Sequence, residues 1–143
     1  MLQNPHIRIT KATEQDFDFI KEHIRLFDLD NRDLLVQQFA IAKLNDEILG
    51  FARIRKHKTC NEFCSLGVVE AYRQQGIAKA LILDSVKQSY QPIYLCCIIP
   101  ELFEPLGFKI VTNYPTEMLD KLNYCINELV VEEPYVVMKL SRK

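Results

Sequence analysis

The chain has 143 residues, 48% of them hydrophobic and 26% charged, with a formal net charge of -1, a composition that suits one folded domain with a real core. That balance excludes a general electrostatic attraction to nucleic acid or to an anionic membrane, and no apolar run approaches the ~20 residues of a membrane span. The first residues, Met1-Leu2-Gln3-Asn4-Pro5, hold no apolar signal segment, so a single cytoplasmic domain, 1–143, is expected. Residues 6–10 alternate as a first strand. Thr13 and Asp16 have the spacing of a variant capping box, and Phe17, Ile20, Ile24 and Phe27 follow at helical intervals, which predicts a first helix. A short second helix is expected after Asn31. Residues 39–44 and 48–55 read as strands joined by Asn45-Asp46, a hairpin signal.

Residues 60–69 are the next predicted strand, apolar on both faces in its later part, as a buried strand should be. Gly67 inside it fits a local bulge or a close backbone approach. A main helix is expected from Gly76 to about Ser89. Residues 92–98 read as a buried strand, 100–106 as a short helix stopped near Gly107, and 109–111 as the start of another strand. The segment 113–134 is longer than a hairpin needs. Pro115 and Thr116 open a predicted helix with Met118, Leu119, Leu122 and Ile126 on one face, either a cover for the sheet or a lid.

The junction of strand and main helix is the richest stretch: Val68-Val69-Glu70-Ala71-Tyr72-Arg73-Gln74-Gln75-Gly76-Ile77-Ala78-Lys79-Ala80-Leu81. It contains R-x-x-G-x-A, from Arg73 to Ala78. Backbone N–H groups at the start of a helix have no partner inside it and point the same way, where the helix dipole favours an anion. Gly76 lets the backbone bend and come close to a ligand. The pattern suits a phosphate or pyrophosphate; an ordinary strand-to-helix turn is the alternative. A P-loop is excluded by its own motif, because no Lys-Ser/Thr follows Gly76.

Five cysteines, Cys60, Cys64, Cys96, Cys97 and Cys125, include no C-x-x-C pair. The odd count argues for reduced thiols, and no metal site is expected.

The chain resembles the GNAT superfamily of acetyl-CoA-dependent N-acetyltransferases. The likeness runs from about His6 to Val111, with residues 135–140 as a last strand. The family's V-x-P-x-x-R is matched by Val68 to Arg73 with Glu70 in place of the proline, and a second marker is Leu102-Phe103-Glu104-Pro105-Leu106-Gly107-Phe108. Pro115, Lys121 and Cys125 are similar to a P…K…C stretch of small N-acetylglutamate-synthase-like members. The resemblance implies an α/β fold with a mixed, mostly antiparallel seven-stranded sheet and helices on both faces. It implies acetyl-CoA as cosubstrate, with its pyrophosphate on Arg73, Gln74, Gln75, Gly76, Ile77, Ala78 and Lys79. The backbone of Leu66, Gly67 and Val68 would hold the pantetheine, with the Leu66 N–H facing the thioester carbonyl.

Acetyl transfer to an amine also needs a proton acceptor and, for the leaving thiolate, a donor. Glu62 lies eleven residues before Arg73, the offset of the base in histone-type members. On a strand it shares a face with Cys64, Leu66 and Val68, where an acid can have a raised pKa and serve as general base; a solvent-facing glutamate after the loop 56–59 is the alternative. Phe103 stands where the family often places a tyrosine, so Tyr114 or Tyr94 is the candidate donor, with water as the alternative. Asp28, Asp30 and Asp33 could attract a cationic amine, and the run Arg53, Arg55, Lys56, His57, Lys58 an anion; a solvated loop and a charged hairpin tip are the plainer readings. The function implied is acetyl transfer from acetyl-CoA to the primary amine of a small molecule, such as an amino acid, by a monomer or homodimer. The alternatives are a non-catalytic acyl-CoA-binding or regulatory domain and a protein (N-terminal or lysine) acetyltransferase.

Overall fold

The computed structural model describes residues 2–87 and 89–141. Its strands are β1 (Arg8–Lys11), β2 (Phe39–Leu44), β3 (Glu47–Lys56), β4 (Asn61–Val68), β5 (Ile93–Cys97), β6 (Phe108–Ile110) and β7 (Val136–Leu140), and its α-helices are α1 (Glu14–Leu26), α2 (Ile77–Lys87), α3 (Pro100–Phe103) and α4 (Thr116–Glu128). The strands form one sheet in the order β1-β2-β3-β4-β5-β7-β6. β1 and β2, β2 and β3, β5 and β7, and β6 and β7 pair antiparallel, and β4 and β5 pair parallel. This is the mixed, mostly antiparallel seven-stranded sheet that the resemblance implies. The chain divides into two compact units, Met1–Ile54 with Ser65–Gln88 and Arg55–Cys64 with Ser89–Lys143.

In the first unit, β1 starts at Arg8 and not at residue 6. Asn4 takes the N–H of His6 on its side chain at 2.9 Å and the N–H of Ile7 on its carbonyl at 3.2 Å, which holds those residues in a turn. The capping signal is borne out: the Asp16 carboxylate accepts from the Thr13 N–H at 2.8 Å and from its hydroxyl at 2.9 Å. Ile20 and Ile24 of α1 then bury against Phe39, Ile41 and Phe51. On the opposite face of β2 and β3 the register aligns small residues, Ala40 with Ala52 and Ala42 with Gly50. Here α2 packs close: a Cβ on Gly50 would stand 3.3 Å from both Ile77 and Leu81 and 2.9 Å from the Gly67 carbonyl. The helix ends at Lys87; Gln88, within the expected span, lies outside the described residues.

No helix forms after Asn31; the next helical turn is a single 3-10 turn at Val36–Gln38. Arg53 explains why. It is fully buried, and its guanidinium donates to the carbonyls of Asp30, Arg32 and Asp33 and, at 2.8 Å, to the Gln38 side chain. Carbonyls held outward by one guanidinium cannot accept helical bonds. The Asp30 carboxylate adds an Asx-type turn by taking the Arg32 N–H at 3.0 Å, and its oxygens also pair with the Arg32 guanidinium. Two earlier expectations change with this. Arg53 is a buried scaffold and not part of a surface cation run, and Asp30, only 2% exposed, is spent within the loop.

In the second unit, α3 and the 3-10 turn Glu104–Leu106 stop at Gly107, whose φ of 99° is the left-handed helix stop that the sequence predicts. Phe103 packs edge-on against Phe63 and Phe108, at centroid distances of 6.1 and 5.7 Å. The helix predicted from Pro115 is α4. Its buried residues are Met118, Lys121 and Cys125, while Leu119 and Ile126 are exposed. Of the expected apolar face, Met118 is buried and Leu122 packs against its cluster, while Lys121 and Cys125 take the inward places that Leu119 and Ile126 were expected to fill.

Two substitutions test the first unit. Arg53→Met should leave several buried carbonyls without a donor and lower the unfolding free energy by about 3 kcal/mol or more, measured by chemical denaturation. In Gly67→Ala the new Cβ would meet the Phe51 ring at 2.7 Å and the Phe27 ring at 3.0 Å. We expect a loss of about 1–3 kcal/mol from overpacking.

Candidate functional site

The turn between β4 and α2 lies wholly within the first unit. A 3-10 turn, Glu70–Tyr72, follows β4, and its cap bonds run from the Tyr72 and Arg73 N–H groups to the carbonyls of Val69 and Glu70. Gln74 and Gly76 then take left-handed φ values of 64° and 86°. The Ala80 N–H bonds to the Gly76 carbonyl at 3.0 Å, so Ile77, Ala78 and Lys79 are the residues of the first turn, whose N–H groups precede the helical ladder. Ile77 is buried and anchors that turn. Arg73 folds back: its Nε donates to the Val68 carbonyl at 2.9 Å, and its guanidinium lies 5.4 Å from the centre of the Phe27 ring.

Beside this turn is a cavity of about 400 Å³ lined by Phe27, Leu66, Gly67, Val68, Arg73 and Ala78. Five of these six are residues that the sequence singled out. Phe27 was missed as a wall; it was read only as the end of the first helix's apolar face. The donor set and the mostly apolar walls fit a diphosphate carrying a flexible, weakly polar arm. Gly67 serves the close approach of Phe51 and Phe27, and the strand irregularity lies instead at Ser65, which has a φ of 51°. A left-handed residue interrupts the alternation, so Glu62, Cys64, Leu66 and Val68 do not form one uniform strand face.

Glu62 belongs to the second unit. It is 0% exposed. The His57 Nε2 lies 2.8 Å from its Oε1, the Lys121 Nζ 3.0 Å from its Oε2, and the Arg55 guanidinium 4.0 Å from its Oε1. The Lys121 ammonium forms an ion pair with Oε2. Burial pushes the Glu62 pKa up, but the His57 hydrogen bond and the charges of Lys121 and Arg55 outweigh it and hold the carboxyl below its ordinary value. The expected raised pKa is thereby reversed. Lys121, noted in the sequence only for its place between Pro115 and Cys125, is the partner brought by α4. Its spacing of three from Met118 and four to Cys125 was the available signal.

The remaining candidates are dispersed. Tyr114 packs partly buried against the cluster of Cys60, Tyr94, Met118 and Val137. None of the five cysteines, all among the described residues, forms a disulfide. Burial, with Glu117 and Glu62 nearby, pushes Cys60 up to about 11. Cys96 is raised by its contact with the Cys125 thiol and by burial, and Cys97 by burial. Among the described residues no group of three or more His, Cys, Asp or Glu side chains is placed to hold a metal ion, and no helix is long and apolar enough to cross a membrane.

The acetyltransferase (GNAT) domain family model matches residues 36–110, just over half of the chain, including β4, the turn and α2. The chain belongs to the GNAT acetyltransferase family. No curated protein matches the sequence. Among solved structures, Rv2747 from Mycobacterium tuberculosis, in complex with CoA and NLQ, matches with a TM-score of 0.78 and 17% identity over 95% of this chain and 99% of that one. N-acetylglutamate synthase from Neisseria gonorrhoeae, complexed with coenzyme A and N-acetyl-glutamate, matches with a TM-score of 0.75 and 16% identity over 98% of this chain; the match spans only 36% of the synthase chain. Arabidopsis thaliana Naa50, bound to the bisubstrate analogue CoA-Ac-MVNAL, matches with a TM-score of 0.69 and 20% identity, over 96% and 99% of the two chains. At these identities the likeness is one of GNAT fold.

The charge cluster around Glu62 makes stability depend on pH. A depressed folded-state pKa stabilises the fold above the ordinary glutamate value, and that stability is lost as pH falls through the depressed value. Glu62→Gln should cost about 3–5 kcal/mol at pH 7, since it leaves buried cations uncompensated. The gap to the parent should narrow as the parent is acidified below pH ~4, read from denaturant midpoints.

Proposed function

We propose that this GNAT protein transfers an acetyl group from acetyl-CoA to the primary amine of a small molecule, with an amino acid as the leading acceptor class. The observation that carries the reading is the cavity walled by Leu66, Gly67, Val68, Arg73 and Ala78 beside the left-handed turn at Gln74 and Gly76. In this reading the N–H groups from Gln74 to Lys79 hold the pyrophosphate, and the apolar walls take the pantetheine arm. Acetyl-CoA supplies an activated acyl group on a good leaving thiolate. The Leu66 N–H polarises the carbonyl as a fixed donor. Glu62 serves the removal of the amine proton, and Tyr114 supplies the proton that ends on the thiol. The N-acetyl-glutamate in the Neisseria synthase supports an amino-acid acceptor by likeness of fold.

A second reading has its own observation. Phe103, at the position where the family often has a tyrosine, is 5% exposed and enclosed by Phe63 and Phe108. A ring so placed offers no proton, which favours a domain that binds acyl-CoA without turning it over. A screen of amino acids, polyamines and peptides for thiol release from acetyl-CoA separates the two. Turnover of any amine well above hydrolysis supports the transferase; thermal stabilisation by acetyl-CoA with no turnover supports the binding module. A peptide as the sole acceptor would redirect the reading to protein acetylation.

Binding is tested separately. Gly76→Val places a β-branched residue at a φ of 86°, where only glycine is at ease, and should abolish acetyl-CoA binding by calorimetry in a folded protein. Unchanged affinity would remove the turn from the site. Tyr114→Phe should lower the rate about a hundredfold with acetyl-CoA affinity intact, and an undiminished rate would give the proton to water.

A further inference from the structure

Two lysines of the second unit share one cavity. Lys109 of β6 and Lys139 of β7 stand directly opposite each other in the antiparallel register, so their side chains leave the sheet on one face. Both line a cavity of about 490 Å³, with Tyr90, Pro92, Val111 and Ser141 among its other walls. We propose that this cavity binds a phosphate monoester with a planar or apolar body, its dianionic head held between the two ammonium groups. The cavity lies wholly within the second unit and shares no residue with the one assigned to acetyl-CoA, so its ligand does not depend on acetyl transfer.

Like charges directly opposite on a sheet repel each other. Among the described residues neither lysine has an ion pair. The contact Lys139 does make is with a ring: its Nζ lies 5.6 Å from the centre of Tyr94, its partner on the other side in β5. Tyr94, Lys139 and Lys109 thus form a row over three strands, from a buried ring to two exposed lysines. A lysine on an edge strand guards against pairing with another chain, which accounts for Lys109, since β6 ends the sheet. It does not account for Lys139, because β7 is paired on both sides.

The walls define the rest of the ligand. Two ammonium groups on opposed residues, about 5 Å apart at their Cβ atoms, suit a head with two charges and oxygens in several directions. A phosphate monoester near neutral pH is such a dianion, whereas a carboxylate carries one charge and leaves one lysine unanswered. Ser141 adds a hydroxyl, and its N–H bonds to the Gly107 carbonyl at 2.8 Å, which holds it beside the start of β6. Pro92 and Val111 are apolar walls, and Val111 is fixed by packing against the Tyr94 cluster. Tyr90 is 96% exposed, so its ring has a free face for a planar body. The volume falls within the range of small-molecule sites, about 300–1,000 Å³.

The experiment titrates the full chain by calorimetry with phenyl phosphate, inorganic phosphate, benzoate and acetyl-CoA at constant ionic strength. The proteins are the parent, Lys109→Gln, Lys139→Gln, Tyr90→Ala and, as a lysine outside the cavity, Lys11→Gln. Phenyl phosphate should bind the parent more tightly than either inorganic phosphate or benzoate. Each cavity lysine variant should lose about tenfold or more in affinity for both phosphates, while Lys11→Gln matches the parent. Tyr90→Ala should weaken phenyl phosphate alone. Acetyl-CoA affinity should be the same in all five proteins. A parent that does not bind phenyl phosphate at millimolar concentration overturns the proposal, and so do cavity lysine variants that keep the parental affinity. Benzoate binding as tightly as phenyl phosphate overturns the dianionic head. An equal loss in Lys11→Gln reduces the effect to general charge and overturns the site. Loss of acetyl-CoA affinity in a folded Lys109→Gln or Lys139→Gln protein overturns the separate ligand.

Discussion

A fully buried carboxylate is tolerated only where cations meet it, and Glu62 sets that condition for the second unit. Removing a carboxylate from water costs several kcal/mol unless it is paired. The partners come from separate elements: His57 from the loop before β4, Arg55 from the end of β3, and Lys121 from α4. α4 must therefore present a lysine inward at the point where its packing would otherwise call for an aliphatic residue. The turn at His57 must close on Cys60 so that the imidazole can reach the carboxylate. One ionised group thus bears on both the rotation of a helix and the conformation of a loop.

The first unit solves a similar problem with the opposite charge. Arg53, buried in β3, donates to several backbone oxygens of the loop that follows α1. A guanidinium, with five donors in a planar fork, suits several carbonyls at once in a way that an ammonium does not. The loop's irregular path, including left-handed Asp28 and Asp33, is the backbone's answer to that fork. Its acidic residues are in this sense structural, and the loop's composition is a poor guide to what it contacts.

Much of the fold was legible because it rests on local signals. The capping pair Thr13 and Asp16, the Asn45-Asp46 hairpin, Gly107 and the Pro115-Thr116 helix start each act over a few residues, and each has its counterpart in the structure. The R-x-x-G-x-A turn was legible for the same reason. What was not legible depended on partners distant in sequence. The missing helix after Asn31 is decided by Arg53, some twenty residues away. The pKa of Glu62 is decided by Lys121, nearly sixty residues on, and the inward face of α4 by the same pair. Periodicity counts apolar residues, so a buried lysine is invisible to it until its counter-charge is located. Of the two readings of Gly67, a bulge or a close approach, the second fits, since two aromatic rings crowd it, and the irregular residue is Ser65.

The five cysteines bear on how such a protein can be followed at the bench. Cys60, Cys64 and Cys125 are buried, and Cys60, Cys96 and Cys97 are all biased toward the protonated form. Alkylation and disulfide exchange both proceed through the thiolate. At neutral pH the protein's own sulfur should therefore consume a chromogenic disulfide reagent slowly, while CoA released into solution reacts fast. The same arrangement that keeps these side chains quiet in the interior gives a colorimetric transferase assay a low protein background without any cysteine having to be replaced.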